Sequence, residues 1–187
     1  MKSIKDLKIK TKEGIEIKNL QRFPSMEWGE EGGLAADVYL NKEYIGHLHQ
    51  SGDGGCASFS GYTREGYNKI AEAGMAFLTR VDKDYGPEGR FSWLRNKDVN
   101  KFQDDDLETV IIHIEERYDD IKEAKKEFKN GYKAMAVISN DYERRYLFYR
   151  VNDITTKEVR KHMLERGLDK KYSDVQIITC NDDLTIL

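Results

Sequence analysis

His47 and His49 stand two apart in Tyr44-Ile45-Gly46-His47-Leu48-His49, a segment that alternates as a strand does, so both imidazoles leave the same face. Asp53 lies a few residues on, in the glycine-rich loop Ser51-Gly52-Asp53-Gly54-Gly55, within reach of that face. Two imidazoles and a carboxylate can hold a transition metal or move protons near neutrality, because neutral imidazole nitrogen is a good ligand and titrates between pH 5 and 8. A solvated pair of histidines is the plainer reading of the same residues, and no metal or cofactor is assigned to them. The loop lacks the Gly-Lys-Ser/Thr ending of a phosphate-binding loop, although its amides would suit an anion nest. Cys56 follows it without a local nucleophile signature, and Ser58, Ser60 and Thr63 are not set in a G-x-S-x-G elbow.

Two further constellations carry charge. Glu116, Asp120, Glu123 and Glu127 recur at spacings of four, three and four, which stacks four carboxylates along a helix face turned away from the core, with Glu108 and Asp119 as neighbours. Like charges at that spacing destabilise a helix by a few tenths of a kcal/mol per pair, roughly, so the row invites a binding role. A row of carboxylates can enter a channel that normally holds nucleic-acid phosphate and take its Lys and Arg partners. Lys122, Lys125 and Lys126 dilute the row, as on an ordinary solvated helix. Farther on, Arg144, Arg145, Tyr146, Phe148, Tyr149 and Arg150 interleave cations with rings, the combination that stacks on bases and contacts phosphates of single-stranded RNA. Strand alternation alone predicts the opposite, that Tyr146 and Phe148 take one face and Arg145 and Tyr149 the other.

Positioning these groups requires an α+β architecture. Lys8-Ile9-Lys10-Thr11 and Ile15-Glu16-Ile17 flank Lys12-Glu13-Gly14, and Ala36 to Leu40 and Tyr44 to His49 flank Asn41-Lys42-Glu43, two hairpins that, with the segment Phe23 to Trp28, predict an N-terminal antiparallel meander of four strands. Thr63 caps a helix whose apolar residues run from Tyr67 to Leu78 and which Asp84 to Pro87 ends. Gly89 to Phe102 reads as irregular or briefly helical. Asp104-Asp105-Asp106 opens the clearest helix, with Leu107, Val110, Ile111, Ile114, Tyr118, Ile121 and Phe128 on one face and Gly131 as its stop. His113 falls at the boundary of that face, and His162 on the surface of a later helix. Ala134 to Ile138 is apolar on both faces and predicts a central strand, Arg145 to Val151 its partner, Thr155 to Glu158 a capping box opening a short helix, and Val175 to Thr179 a last strand. The C-terminal half is thus α-β-β-α-β behind central helices.

The 187 residues suffice for one domain, or two small ones sharing a surface, and bury roughly 70% of their unfolded surface without metal or disulfide. One compact body over 1–187 is expected, with a seam dividing a β-rich region (1–62), a helical connection (63–103) and an α/β region (104–187). At 39% hydrophobic and 35% charged residues, with 2 Pro, the disordered, collagen-like and low-complexity classes are excluded. No run approaches about 18 apolar residues, and the charged opening leads into no hydrophobic region, so neither a membrane span nor a signal peptide is expected. Cys56 and Cys180 lack C-x-x-C spacing, which points to a reducing cytoplasm. The 31 basic against 34 acidic residues leave a net charge of -3, which argues against nonspecific coating of nucleic acid. The charge is uneven: Asp104 to Glu127 holds ten acidic and four basic residues, Asp141 to Lys171 nine basic and six acidic.

The segments Glu27-Trp28-Gly29-Glu30-Glu31-Gly32-Gly33 and Gly46-His47-Leu48-His49-Gln50-Ser51-Gly52-Asp53-Gly54-Gly55, with the length and the Lys/Glu/Asn/Tyr/Ile-rich usage, resemble small proteins carried by phages and mobile elements of Gram-positive bacteria. Among these the chain is similar to the type II-A anti-CRISPR inhibitors of Cas9. The resemblance implies an inhibitor in the host cytoplasm that binds Cas9 or its guide RNA complex and blocks nucleic-acid binding or cleavage. Cas9 holds its heteroduplex in a positively charged channel, where the acidic row around Glu116, Asp120, Glu123 and Glu127 would dock. The alternative is an inhibitor that acts on the guide RNA itself, displacing or cutting it, with His47, His49 and Asp53 as the catalytic group or Arg144, Arg145, Tyr146 and Arg150 as the RNA-binding group. A third reading is a mobile-element interaction protein unrelated to CRISPR.

Overall fold

Ile15, Ile17, Val38 and Leu48 are almost wholly shielded from water, while their strand neighbours Glu16, Lys18, Asp37, Tyr39, His47 and His49 are half-buried or exposed. That two-residue period gives a sheet one apolar face and one open face. The computed structural model describes residues 9–23, 32–52, 55–81, 91–140, 143–172 and 174–179. Asp53, Gly54, Cys180, the predicted stop at 84–87 and most of the segments 23–28 and 27–33 lie outside them.

The fold is α+β, with an antiparallel meander at the N-terminus. Five strands follow one another in space as in sequence: β1 (Ile9–Lys10), β2 (Ile15–Arg22), β3 (Leu34–Leu40), β4 (Glu43–Gln50) and β5 (Ser58–Ser60). The two predicted turns use left-handed backbone, which Gly14 and Asn41 adopt readily and Lys42 does not. Gly14 takes φ +88°, and Asn41 and Lys42 take +52° and +74°, the two successive left-handed residues of a tight hairpin turn. The fifth strand goes beyond the predicted four, because three residues of Ser-Phe-Ser are too short to show a period.

After the meander come α1 (Arg64–Val81), α2 (Ser92–Arg95), a 3-10 turn (Val99–Lys101), α3 (Asp104–Phe128), β6 (Ala134–Ser139), β7 (Arg144–Tyr149), α4 (Thr156–Glu165) and β8 (Asp174–Thr179). The α-β-β-α-β order of the C-terminal half is the predicted one. Contacts along the chain divide it into two compact units, one drawing on Met1–Leu78 and Leu94–Glu115, the other on Thr79–Trp93 and Glu116–Ile186, so α3 contributes its first half to one and its second half to the other.

In the first unit, α1 meets the inner sheet face and the first half of α3 packs on α1. Phe59 and Tyr67 approach with ring centroids 5.8 Å apart, and a Cβ on Gly74 of α1 would come within 3.1 Å of Val110 on α3, so glycine permits the close crossing. His113 is buried, edge-on to Phe77 at 5.9 Å, and is not a boundary residue. The carboxylates that open α3 serve two elements at once. Asp104 accepts from the Phe59 N–H at 2.8 Å and the Tyr67 hydroxyl at 2.9 Å, and Asp105 accepts from the Ala57 N–H at 2.7 Å. They favour the helix N-terminus and occupy donors along β5.

In the second unit, the order β7-β6-β8 makes β6 the central strand its doubly apolar sequence predicts, and every residue of β6 is buried. One sheet face, with Ala136, Ile138 and Val175, meets Val159 and Met163 of α4. Thr155 and Glu158 form the predicted reciprocal cap on α4, the Thr155 N–H donating to Glu158 at 2.8 Å.

Candidate functional site

The register of the meander sets a row of polar side chains across the open sheet face. Lys18 lies opposite Asp37, Asp37 opposite His47, and His47 opposite Ser60. His47 Nδ1 is 2.7 Å from Asp37 Oδ1, and Asn19 donates to the other Asp37 oxygen at 2.6 Å. The His47 side chain is 39% exposed and that of Asp37 22%. An ionised carboxylate only accepts, so Nδ1 carries the proton of the pair and Nε2 is left as the basic nitrogen. Burial pulls the Asp37 carboxyl upward, but the hydrogen bonds from Asn19 and His47 and the imidazole charge prevail and hold it below the usual aspartate value.

Rings and a cation surround the pair. The Phe23 ring is 6.0 Å from that of His49, Tyr39 meets Tyr44 edge-on at 5.3 Å, and Lys18 Nζ stands 3.7 Å above the centre of Tyr39. His47 and His49 share this face, as their spacing predicts. Asp53 lies outside the described residues, and the carboxylate that does meet His47 is Asp37, which sequence reasoning missed.

The acidic row on α3 needs correction. Asp120 does not face outward: it is fully buried, bonded to Arg144 and accepting from the Tyr146 hydroxyl at 3.1 Å. Arg144 also meets Glu116, at 3.3 Å. Arg117, buried on the same helix, reaches Gln176 of β8 at 3.1 Å. The helix face over this sheet is therefore partly polar, and the four-three-four row runs along its border instead of its outer side. Burial pushes the Asp120 carboxyl up to about 6 against the opposing pull of Arg144 and Arg117. Burial, with Asp120 beside it, pushes Tyr146 up to about 12.

Farther along, Glu123 meets Lys126 at 3.4 Å and Glu127 accepts from Asn130 at 3.2 Å, while Asp119 is exposed. Glu108 belongs to the first unit, where burial and then the charge of Asp105 push its carboxyl up.

The interleaved strand β7 is likewise divided. Arg144 and Tyr146 are turned to α3, Leu147 and Tyr149 to the α4 side, Arg145 is exposed, and Arg150 lies beyond the strand, 5.5 Å from the centre of Tyr132. The two charged constellations thus hold each other: Arg144 and Tyr146 of the basic group are the partners of Glu116 and Asp120 of the acidic one.

Comparison with protein-family models, with curated proteins and with solved structures returns no match.

Proposed function

We propose that the chain is an inhibitor of a host CRISPR nuclease of the Cas9 type that acts on the guide RNA, with the open face of the N-terminal sheet as its working surface. The observation that carries this reading is the half-exposed His47 with Asp37 on its Nδ1. His47 Nε2 takes the proton of a ribose 2′-hydroxyl as that oxygen attacks the adjacent phosphorus, and Asp37 stabilises the imidazolium that forms. The exposed imidazole of His49, when protonated, returns a proton to the departing 5′-oxygen. Phe23, Tyr39 and Tyr44 offer rings for bases, and Lys18 a positive charge for phosphate.

Incubation of guide RNA with substoichiometric protein tests this. The expected result is shortened RNA on a denaturing gel, lost in His47→Ala, with the circular dichroism of the variant unchanged. Intact RNA with the unsubstituted protein would overturn cleavage.

A second reading, docking on the Cas9 protein through Asp119, Glu123 and Glu127, is favoured by Asp119, which is exposed and engaged by no cation among the described residues. It predicts stoichiometric inhibition with RNA intact, weakened by Asp119→Lys and unaffected by His47→Ala.

A further inference from the structure

Beyond the edge strand β5 the first unit holds an open cavity of about 410 Å³ between the start of α1, the 3-10 turn and the start of α3. Its size suits a small ligand. Rings, a cation, side-chain amides, the Asp104 and Asp105 carboxylates and the Cys56 thiol line it. Tyr62, Tyr67 and Phe102 supply rings, Arg64 a cation, and Asn68 and Gln103 side-chain amides.

The hydrogen-bond inventory narrows what fits. Asp104 already accepts from Phe59 and Tyr67 with its two oxygens, and Asp105 spends one oxygen on Ala57. Both carboxylates are thus anchored on the protein's own donors, with the second oxygen of Asp105 left open among the described residues. Arg64 is engaged by no carboxylate, and the side chains of Asn68 and Gln103 make no hydrogen bond, among the described residues. Unused amides ask for an edge that both donates and accepts, and the free guanidinium asks for an anion. Tyr62 is 42% exposed and lies flat on Phe59, 13° between planes at 5.3 Å, so a ring is already held in a stacking attitude beside them.

A flat face, a mixed donor and acceptor edge and one anionic end together describe a nucleotide. We propose that this cavity binds a nucleoside monophosphate unit, its base against Tyr62, its edge read by Asn68 and Gln103, and its phosphate on Arg64. None of these residues belongs to the open sheet face, so the site stands whether or not the chain cuts guide RNA. The same unit is presented by a free nucleotide or by a base turned out of single-stranded RNA.

The test is nuclear magnetic resonance titration of the full chain with AMP, GMP, CMP and UMP in turn, with ribose 5-phosphate as the base-free control, and with short single-stranded RNA of each base. At least one nucleotide or RNA is expected to shift the resonances of Tyr62, Arg64 and Asn68, with ribose 5-phosphate leaving those of Tyr62 and Asn68 in place. Tyr62→Ala and Asn68→Ala are each expected to weaken binding roughly tenfold, and Arg64→Ala to make nucleotide and nucleoside bind alike. Saturation by a monomer identifies the free nucleotide as sufficient; a response to RNA alone assigns the site to a base within a strand. Resonances unmoved by every monomer and RNA, or those of Tyr62 and Asn68 moved equally by ribose 5-phosphate, would overturn the proposal.

Discussion

Each unit pairs a carboxylate with a nitrogen-bearing side chain on a neighbouring element, Asp37 with His47 in the first and Asp120 with Arg144 in the second, and the pairs differ in how much water reaches them. Where water reaches, the hydrogen bonds of Asn19 and His47 outweigh burial and the Asp37 carboxyl is held down. Beneath α3, burial outweighs two arginines and the Asp120 carboxyl is pushed up. The same chemistry therefore shifts in opposite directions, and of the two pairs the open one has a nitrogen with a lone pair to offer, His47 Nε2, which a guanidinium lacks. The buried pair is committed to joining α3 to β7.

Three substitutions sharpen or break that contrast. The largest effect is expected for Arg144→Ala, which leaves Asp120 buried without its hydrogen-bonded cation and removes the Arg144 contact of Glu116. Removing one partner of a buried pair costs about 3–5 kcal/mol, read by urea unfolding. A loss below about 1 kcal/mol would make the two pairs equivalent.

Next comes the pH dependence of Asp120. Its native value, near 6, lies above the ordinary aspartate value of 3.8, so between these the folded protein keeps a proton that the unfolded chain has released. The stability from this group is complete below about pH 4 and is lost as pH rises through 6, on the order of 3 kcal/mol in all. Urea unfolding at pH 4 and pH 7 is expected to show the unsubstituted protein gaining on Asp120→Asn at the lower pH; parallel curves would remove the effect. The smallest change is expected for Asp37→Asn, under about 0.5 kcal/mol in stability because the pair is half open. Its effect should fall on guide-RNA cutting instead, and a large loss of stability would mark Asp37 as structural.

Much of the fold was legible in the sequence because its signals are local. The turns at Gly14 and Asn41, the Thr155 cap and the apolar run of β6 each declare themselves within a few residues. The site was less legible because it depends on register. From the turn, Leu40 meets Glu43 and Tyr39 meets Tyr44, a count that would set Asp37 opposite Gly46. A bulge leaves Ile45 unmatched and slides the pairing by one, so that Asp37 meets His47. Nothing near Ile45 announces that shift. The acidic row failed for a related reason: spacing shows that Glu116, Asp120, Glu123 and Glu127 share a side of α3, but not that Arg144 and Tyr146 arrive from another element to cover two of them.

The carboxylates at the start of α3 have a consequence for self-association. A short outermost strand whose outward N–H at Phe59, like that of Ala57 just before it, is already taken by Asp104 or Asp105 gives a second molecule little to zip onto. On that side the sheet has a built-in terminator against strand addition.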